Sequence, residues 1–165
     1  MLEIRDALPT DCAGMLAIYN EVVATSTAIF SNQPRSEEQQ HYWFEDRTSQ
    51  GLPVLVASLQ GELVGFASYG PFRAWPGYRY TVENSIYFAA NARQRGYGVL
   101  LLSALVQRAS ETDLHTMIAG IDGENTASMR LHEKCGFQRV AHLQQVGRKF
   151  DRWLDLTFYQ RLLQP

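Results

Sequence analysis

The sequence has few of the residues that would tie it to a disulfide framework, a metal or a membrane. Two cysteines among 165 residues are too few for a disulfide scaffold, so we expect reduced thiols and a cytoplasmic protein. The four histidines lack the spacing of metal ligands, and we expect no metal. No apolar run approaches the ~20 residues of a membrane helix, and the N-terminus does not resemble a secretory signal, so we expect no membrane association.

The chain also lacks a strong net charge. Lys and Arg together number 15 and Asp and Glu 17, which gives a formal net charge of -2. Proteins that bind nucleic acid through a basic surface are usually more positive, so we expect no nucleic-acid partner. The length and an apolar fraction of 45% are typical of one globular domain, which we expect to span residues 1–165.

Hydrophobic periodicity predicts an alternation of strands and helices along the whole chain. The predicted order is a strand, two helices, three strands, a helix, a strand, a helix and two closing strands. Ser36 is predicted to begin the second helix, and Asn125 to begin a helix that ends at Gly136. Because this order combines hairpins with crossovers, we expect an α/β layered fold around a mixed sheet.

The most informative segment is the loop Arg93-Gln94-Arg95-Gly96-Tyr97-Gly98, between a predicted strand and an amphipathic helix. Its glycines let backbone N–H groups approach an anion, and the helix N-terminus adds partial positive charge. The loop is neither a P-loop nor a Rossmann fingerprint, because the required lysine and glycine spacings are absent. Two glycines alone fit a simple turn equally well, but the flanking arginines favour a phosphate or pyrophosphate site.

Two motifs at the expected separation resemble the signatures of the GNAT superfamily of acetyl-CoA-dependent N-acetyltransferases. They are Arg93-x-x-Gly96-x-Gly98 and the helix from Asn125 to Gly136-Phe137. Segments 80–87, 131–133 and 147–155 are similar to the phosphinothricin and methionine sulfoximine acetyltransferases of that superfamily. The resemblance implies the GNAT fold: a mixed, mostly antiparallel central sheet, splayed between its fourth and fifth strands and flanked by helices. It also implies acetyl-CoA as co-substrate.

The resemblance carries the expected contacts with acetyl-CoA. Backbone N–H groups of the loop would hold the pyrophosphate, with the expected residues being Arg93, Gln94, Arg95, Gly96, Tyr97 and Gly98. The preceding strand would pair its backbone at Ile86, Tyr87 and Phe88 with the pantetheine arm, and one N–H there would face the thioester oxygen. Asn125 resembles a cofactor-contacting asparagine and could also cap its helix.

Two residues are candidates for proton transfer. Glu83 lies in the middle of a predicted strand, where burial would raise its pKa towards that of a useful general base. From the pattern alone, an exposed acid on an edge strand is an alternative. His132 stands where many members of the superfamily have a tyrosine that protonates the leaving thiolate. A histidine could act as the general acid, or it could pack beside the cofactor with no proton role.

The acceptor is expected at the segment 70–79, which is rich in glycine, proline, arginine and aromatic residues. Arginine side chains there could bind a carboxylate or phosphinate, and aromatic rings could flank a short aliphatic stem. The candidates are Phe30, Arg73, Trp75, Pro76, Gly77, Arg79 and Lys149. The resemblance implies transfer to the α-amine of a small amino-acid-like acceptor such as phosphinothricin, methionine sulfoximine or methionine sulfone.

Two other functions would fit the same scaffold. A protein N-terminal or ribosomal-protein acetyltransferase would need an open groove, whereas bulky residues indicate a small closed pocket: Phe30, Phe72, Trp75 and Tyr78. A non-catalytic acyl-CoA-binding module would not need Glu83 and His132.

The aromatic-rich C-terminal strands predict a homodimer, which is also common in the resembled branch. Residues that would form the interface are Phe150, Trp153, Phe158 and Tyr159. The alternative is that these rings belong to the core of one chain.

Overall fold

A computed structural model describes residues 1–164 as one seven-stranded sheet with helices on both faces. The strands are β1 (Leu2–Asp6), β2 (Val54–Leu59), β3 (Glu62–Pro71), β4 (Thr81–Phe88), β5 (Thr116–Asp122), β6 (Gln138–Lys149) and β7 (Arg152–Leu162). The helices are α1 (Cys12–Thr25), α2 (Glu37–Ser49), α3 (Tyr97–Ser110) and α4 (Thr126–Lys134). Their order along the chain and the mixed, mostly antiparallel sheet confirm the prediction, with the strands arranged β1-β2-β3-β4-β5-β7-β6.

Two of these helices begin at the capping residues expected from the sequence, Ser36 for α2 and Asn125 for α4. The Ser36 hydroxyl accepts the N–H of Gln39 at 3.1 Å, and the Gln39 side chain accepts the N–H of Ser36 at 2.9 Å. This reciprocal capping box satisfies two donors that have no partner within α2. The Asn125 side chain caps α4 with a single hydrogen bond, accepting the N–H of Ser128 at 3.1 Å. Gly136 follows α4 with a φ of 81°, a left-handed conformation that glycine adopts without strain.

The central sheet opens between β4 and β5, as predicted. This parallel pair is joined only from Thr81 opposite Thr116 to Glu83 opposite Ile118. Beyond that point β4 continues along β3, and β5 continues along β7. The two strands therefore diverge, and the edge of β4 that faces β5 is left without a partner strand.

Alternating residues of the central strands face two separate apolar clusters. One face packs against α3 and α4 through buried residues such as Leu101, Leu105 and Phe137. The other packs against α1 and α2 through Met15 and Phe44. With both faces covered, the opening between β4 and β5 is where a ligand can reach the backbone. No helix within residues 1–164 is long and apolar enough to cross a membrane.

Lys149, at the end of β6, has a structural role instead of the predicted contact with the acceptor. It is 1% exposed, and its ammonium donates to the carbonyl oxygens of Val23, Ser26 and Ile29 at 2.7, 2.7 and 2.9 Å. Burial lowers the pKa of this ammonium. An ammonium has three donors, and all three are used here. The prediction that Lys149 binds the acceptor's anion is therefore wrong, and the residue anchors the chain that leaves α1.

Substituting Lys149 with methionine tests this anchoring role. Lys149→Met keeps most of the aliphatic stem but leaves three carbonyl groups without their donor. We expect the free energy of unfolding to fall by about 2–4 kcal/mol, because an unpaired buried polar group costs about 1–3 kcal/mol. Urea unfolding followed by circular dichroism would measure the change. The exposed Lys134→Met is the matched control and should change by less than about 0.5 kcal/mol; equal losses in both variants would contradict the role.

Candidate active site

Two connected cavities lie at the opening between β4 and β5. The larger, about 840 Å³, lies between the end of β4 and the first turns of α3 and α4, and is called the groove here. The smaller, about 420 Å³, lies between the segment that follows α1 and strands β3, β4 and β5, and is called the pocket. Ile86, Tyr87, Asn125 and Ser128 line both cavities. A ligand in the groove can therefore meet one in the pocket beside the free edge of β4.

Most of the residues predicted to contact a cofactor line the groove. They are Ile86, Tyr87, Phe88, Arg93, Gln94, Gly96, Gly98 and Asn125, whereas Arg95 and Tyr97 are not part of its lining. Gly96 lies immediately before α3 with a φ of 82°, and a Cβ at Gly98 would lie 3.0 Å from Leu131. The two glycines thus allow the turn and the close approach of α4. The first N–H groups of α3, which have no partner within the helix, lie at the groove and suit an anion.

The basic residues that line the groove are not all those that the sequence predicts. Arg93 forms an ion pair with Glu21 and donates from Nε to the Phe88 carbonyl at 2.9 Å, so it fixes the loop against α1 and the end of β4. Arg130 and Lys134, which we did not single out, both line the groove from α4. Their i, i+4 spacing on a helix beginning at Asn125 is a signal that could have found them.

Glu83 lines the pocket at the last position where β4 pairs with β5. Its carboxylate lies above Gly120, where a Cβ would be 2.9 Å from Oε1, so the glycine leaves room for this side chain. Burial raises the pKa of Glu83, and the positive charge of Arg73 partly opposes that rise. The direction is the one a general base at neutral pH requires.

His132 is engaged through both ring nitrogens. It is 2% exposed, and its Nδ1 donates to the Ser128 carbonyl at 2.8 Å, since a carbonyl can only accept. Its Nε2 lies 3.2 Å from Oδ1 of Asn84, whose Nδ2 donates to the Ile118 carbonyl at 3.3 Å. Because Nδ1 already carries a proton, Nε2 donates to this amide oxygen only when the ring is protonated on both nitrogens. Burial lowers the pKa of His132, and the Ser128 carbonyl opposes that effect. His132 lines the pocket, but this geometry supports the packed histidine over the general acid, because each nitrogen already has a protein oxygen within hydrogen-bond distance.

The predicted acceptor residues separate into two groups. Phe30 lines the pocket, but the other aromatic and arginine candidates belong to the exposed loop 72–80. Within that loop Trp75 is 75% exposed, and Arg79 stacks over Tyr80 at 4.4 Å from the ring centre. The structure does not bring Trp75, Pro76, Gly77, Arg73 or Arg79 into the lining of the pocket. The loop contains a single 3-10 turn at Pro76–Tyr78. Of its residues, only Arg73 affects Glu83, because its positive charge lowers the pKa of that carboxyl group.

Sequence reasoning missed two charged residues of the pocket, Arg47 and Asp122. Arg47 lies in the last turn of α2, where an arginine ordinarily complements the helix dipole and draws no further attention. Asp122 ends β5 and accepts a hydrogen bond from the Thr27 hydroxyl. Within residues 1–164 no group of three or more His, Cys, Asp or Glu is arranged to hold a metal ion.

The splayed sheet and the glycine-bounded groove define the class of protein when they are compared with known ones. The profile of the acetyltransferase (GNAT) family matches residues 15–137. A ribosomal-protein-alanine N-acetyltransferase from Brucella melitensis superposes with a TM-score of 0.95 at 46% identity, covering 97% of this chain and 99% of that one. The fold is therefore that of the GNAT acetyltransferases.

Two further relatives carry names of small-molecule enzymes. The L-methionine sulfoximine/L-methionine sulfone acetyltransferase of Pseudomonas aeruginosa is 48% identical over 163 residues, covering 98% of this chain and 95% of that protein. A phosphinothricin acetyltransferase of Sinorhizobium meliloti, solved in complex with acetyl-CoA, has a TM-score of 0.95 at 36% identity and covers 98% of this chain and 88% of that one. The chain belongs to the acetyltransferase (GNAT) family.

Proposed function

We propose that the chain is an acetyl-CoA-dependent N-acetyltransferase for the α-amine of a small amino-acid-like acceptor. Methionine sulfoximine, methionine sulfone and phosphinothricin are the acceptors named for its relatives. The observation that carries the proposal is a pocket of about 420 Å³ that contains Glu83 and opens onto the groove beside β4. The proposal treats residues 1–165 as a single N-acetyltransferase domain.

The groove residues suit the binding of acetyl-CoA, which supplies an activated acetyl thioester. The loop that ends at Gly98 and the first turn of α3 would bind the pyrophosphate through backbone N–H groups. Arg130 and Lys134 add positive charge for the phosphates. The free edge of β4 from Ile86 to Phe88 offers backbone donors and acceptors to an extended chain such as the pantetheine arm.

In the pocket, Glu83 would act as the general base, directly or through one water, and take a proton from the acceptor's ammonium. A backbone N–H of β4 would donate to the oxygen that becomes negative as the amine attacks. We propose direct transfer, because the two cysteines of the chain lie outside both cavities. Burial also raises the pKa of Cys12 and Cys135, so neither is activated as a nucleophile.

His132 would be a positioning residue in this scheme. Through Asn84 it links α4 to the point where β4 and β5 stop pairing. It would thereby hold the width of the opening in which both substrates meet.

A second candidate is acetylation of a protein N-terminus. The relative named as a ribosomal-protein-alanine N-acetyltransferase supports it. So does the loop 72–80, whose bulky residues do not line the pocket. The absence of activity would instead point to a non-catalytic acyl-CoA-binding module.

An assay of free coenzyme A release distinguishes these functions. The panel would contain methionine sulfoximine, methionine sulfone, phosphinothricin and a short peptide with N-terminal alanine. Turnover of the small acceptors is the expected result. Turnover of the peptide alone would support the second candidate, and acetyl-CoA binding without any turnover would support the binding module.

The proposed roles predict an order of effects for two alanine substitutions. Glu83→Ala removes the base, and kcat should fall by about 10²–10⁴-fold, the usual contribution of a general base. His132→Ala should lower kcat by a smaller factor, because that side chain acts only through position. Steady-state kinetics with methionine sulfone would measure both, and the reverse order would contradict the roles.

The charge on Arg73 predicts a shift in the pH profile. A general base must be deprotonated, so kcat/KM falls as the pH drops through the pKa of Glu83, which burial has raised. Arg73→Met removes a positive charge that favours the carboxylate, so the acidic limb should move to higher pH. Arg79→Met, in the same loop, should leave the position of that limb unchanged. A shift to lower pH in Arg73→Met would contradict the assignment of Glu83.

We propose that the enzyme is a homodimer through β6 and β7. Phe150 and Trp153 are exposed there, together with Val140 and Val146 of the edge strand β6. Of the other two aromatic residues predicted at this interface, Phe158 is partly buried, and Tyr159 is buried with its hydroxyl donating to Glu133 at 3.0 Å. An exposed apolar strip of this kind is typical of an interaction site.

Light scattering would test this assembly. The mass should be twice the 18.7 kDa of one chain, and Trp153→Glu should reduce it to that of a monomer. Trp75→Glu, which changes an exposed tryptophan elsewhere, is the matched control. A wild-type monomer would contradict the homodimer.

The proposal includes a cytoplasmic enzyme. Both cysteines are free and buried, as is usual for proteins of a reducing compartment.

A further inference from the structure

Arg47 presents a charged group to the pocket with no partner of its own. Its side chain is half-buried in the last turn of α2, and its Nε is fully buried. Within residues 1–164 its guanidinium forms no ion pair or hydrogen bond, and its Cζ is 5.9 Å from the centre of the Trp43 ring. Five other arginines, by contrast, pair with carboxylates: Arg5, Arg93, Arg108, Arg148 and Arg152. A desolvated charge without a partner is costly, so the arrangement calls for an anion.

The fold makes room for this guanidinium at Gly70 of β3. A Cβ at Gly70 would overlap with Nη1 and Cζ of Arg47. Gly70 does not have a positive φ, so its backbone conformation does not require glycine. Glycine is needed here because it has no side chain, and the guanidinium of Arg47 occupies the space that a side chain would take.

Arg47 also lies on the same face of the sheet as Glu83. Gly70 lies directly opposite Glu83 in the antiparallel pair of β3 and β4. Residues opposite one another in such a pair share a face, with Cα atoms about 4.5–5.5 Å apart. The guanidinium above Gly70 and the carboxylate above Gly120 therefore flank one pocket.

An α-amino acid carries its amine and its carboxylate on the same carbon. When the amine is directed at Glu83 for deprotonation, the carboxylate on the same carbon can be directed towards Gly70 and the guanidinium of Arg47. The positive charge on one side and the negative charge on the other match the two ends of the zwitterion. Arg73, whose charge reaches Glu83, and Arg79 both lie in the loop outside the lining of the pocket, whereas Arg47 lines it.

We infer that Arg47 binds the α-carboxylate of the acceptor through paired N–H donors and so restricts the enzyme to α-amino acids. This inference rests on the proposed function. The planar guanidinium matches the two oxygens of a carboxylate better than a lysine would.

Burial strengthens the contact and does not neutralise the arginine. Burial lowers the pKa of Arg47, and the nearby Arg35 adds to that effect against the opposing charge of Asp46. Arginine starts from so high a pKa that it stays protonated at neutral pH. In the low dielectric of the pocket, its attraction for a carboxylate is stronger than it would be in water.

The test compares acceptors with and without the negative charge. L-methionine sulfone and its α-carboxamide differ only at the group that Arg47 would bind. For Arg47→Met, kcat/KM with methionine sulfone should fall by about 10–100-fold, the usual worth of hydrogen bonds to a charged group. With the carboxamide it should change by less than about 3-fold, each acceptor being compared with itself across variants.

Three further variants support the comparison. Gly70→Ala adds the Cβ that displaces the guanidinium, and it should selectively lower kcat/KM for methionine sulfone. Arg47→Lys keeps the charge but loses the paired donors, and it should retain part of the activity. Arg108→Met changes an exposed arginine far from both cavities and should leave both acceptors unaffected. If Arg47→Met does not fold, as judged by circular dichroism, Gly70→Ala and Arg47→Lys decide the question.

Equal losses with both acceptors, or no loss with either, would overturn the inference. If the wild-type enzyme uses none of the small acceptors, the proposed function fails separately. Thermal shifts in the presence of coenzyme A, measured with L-amino acids and their carboxamides, then test Arg47 alone. Stabilisation that requires the carboxylate and is lost in Arg47→Met would support the inference, and no such stabilisation across the panel would overturn it.

Discussion

The parallel pairing of β4 with β5 extends over only three positions, and both cavities depend on where it stops. Up to Glu83 the backbones satisfy one another, and beyond it β4 keeps a free edge. Asn84 bridges the two strands at that point by donating to the Ile118 carbonyl. His132 holds the other end of the same amide, so α4 is fixed to the base of the opening. A ladder that continued further would close the space in which two substrates can meet.

Three glycines with no positive φ give the site its shape because they lack side chains. Gly98 lets α4 approach α3 through Leu131, while Gly70 and Gly120 leave room for two opposite charges in the pocket. In each case a side chain from a distant part of the chain occupies the space that a Cβ would take. The positions of the two charges in the pocket therefore follow from packing, because each charged group lies over a glycine that has no side chain.

The same fold is shared by relatives that carry names of different acceptors. A ribosomal-protein-alanine N-acetyltransferase and a phosphinothricin acetyltransferase superpose on this chain equally well, each with a TM-score of 0.95. The architecture thus defines the handling of the acyl donor, and the residues around the pocket must decide what is acetylated. In this chain those residues include Arg47, whose guanidinium has no partner within residues 1–164, and Glu83, whose pKa is raised by burial; under the proposal they match the two charged groups of an amino acid.

The sequence by itself determined the order of the elements, the helix starts at Ser36 and Asn125, and the glycine loop, because each depends on residues within a few positions of one another. It also drew attention to Glu83, whose place in an apolar strand is unusual. Only the tertiary structure decided which other polar groups meet. Lys149 reaches carbonyls more than a hundred residues away, and Arg47 lies in the pocket because β3 carries a glycine beneath it. Such contacts depend on the packing of distant elements, which no local pattern encodes.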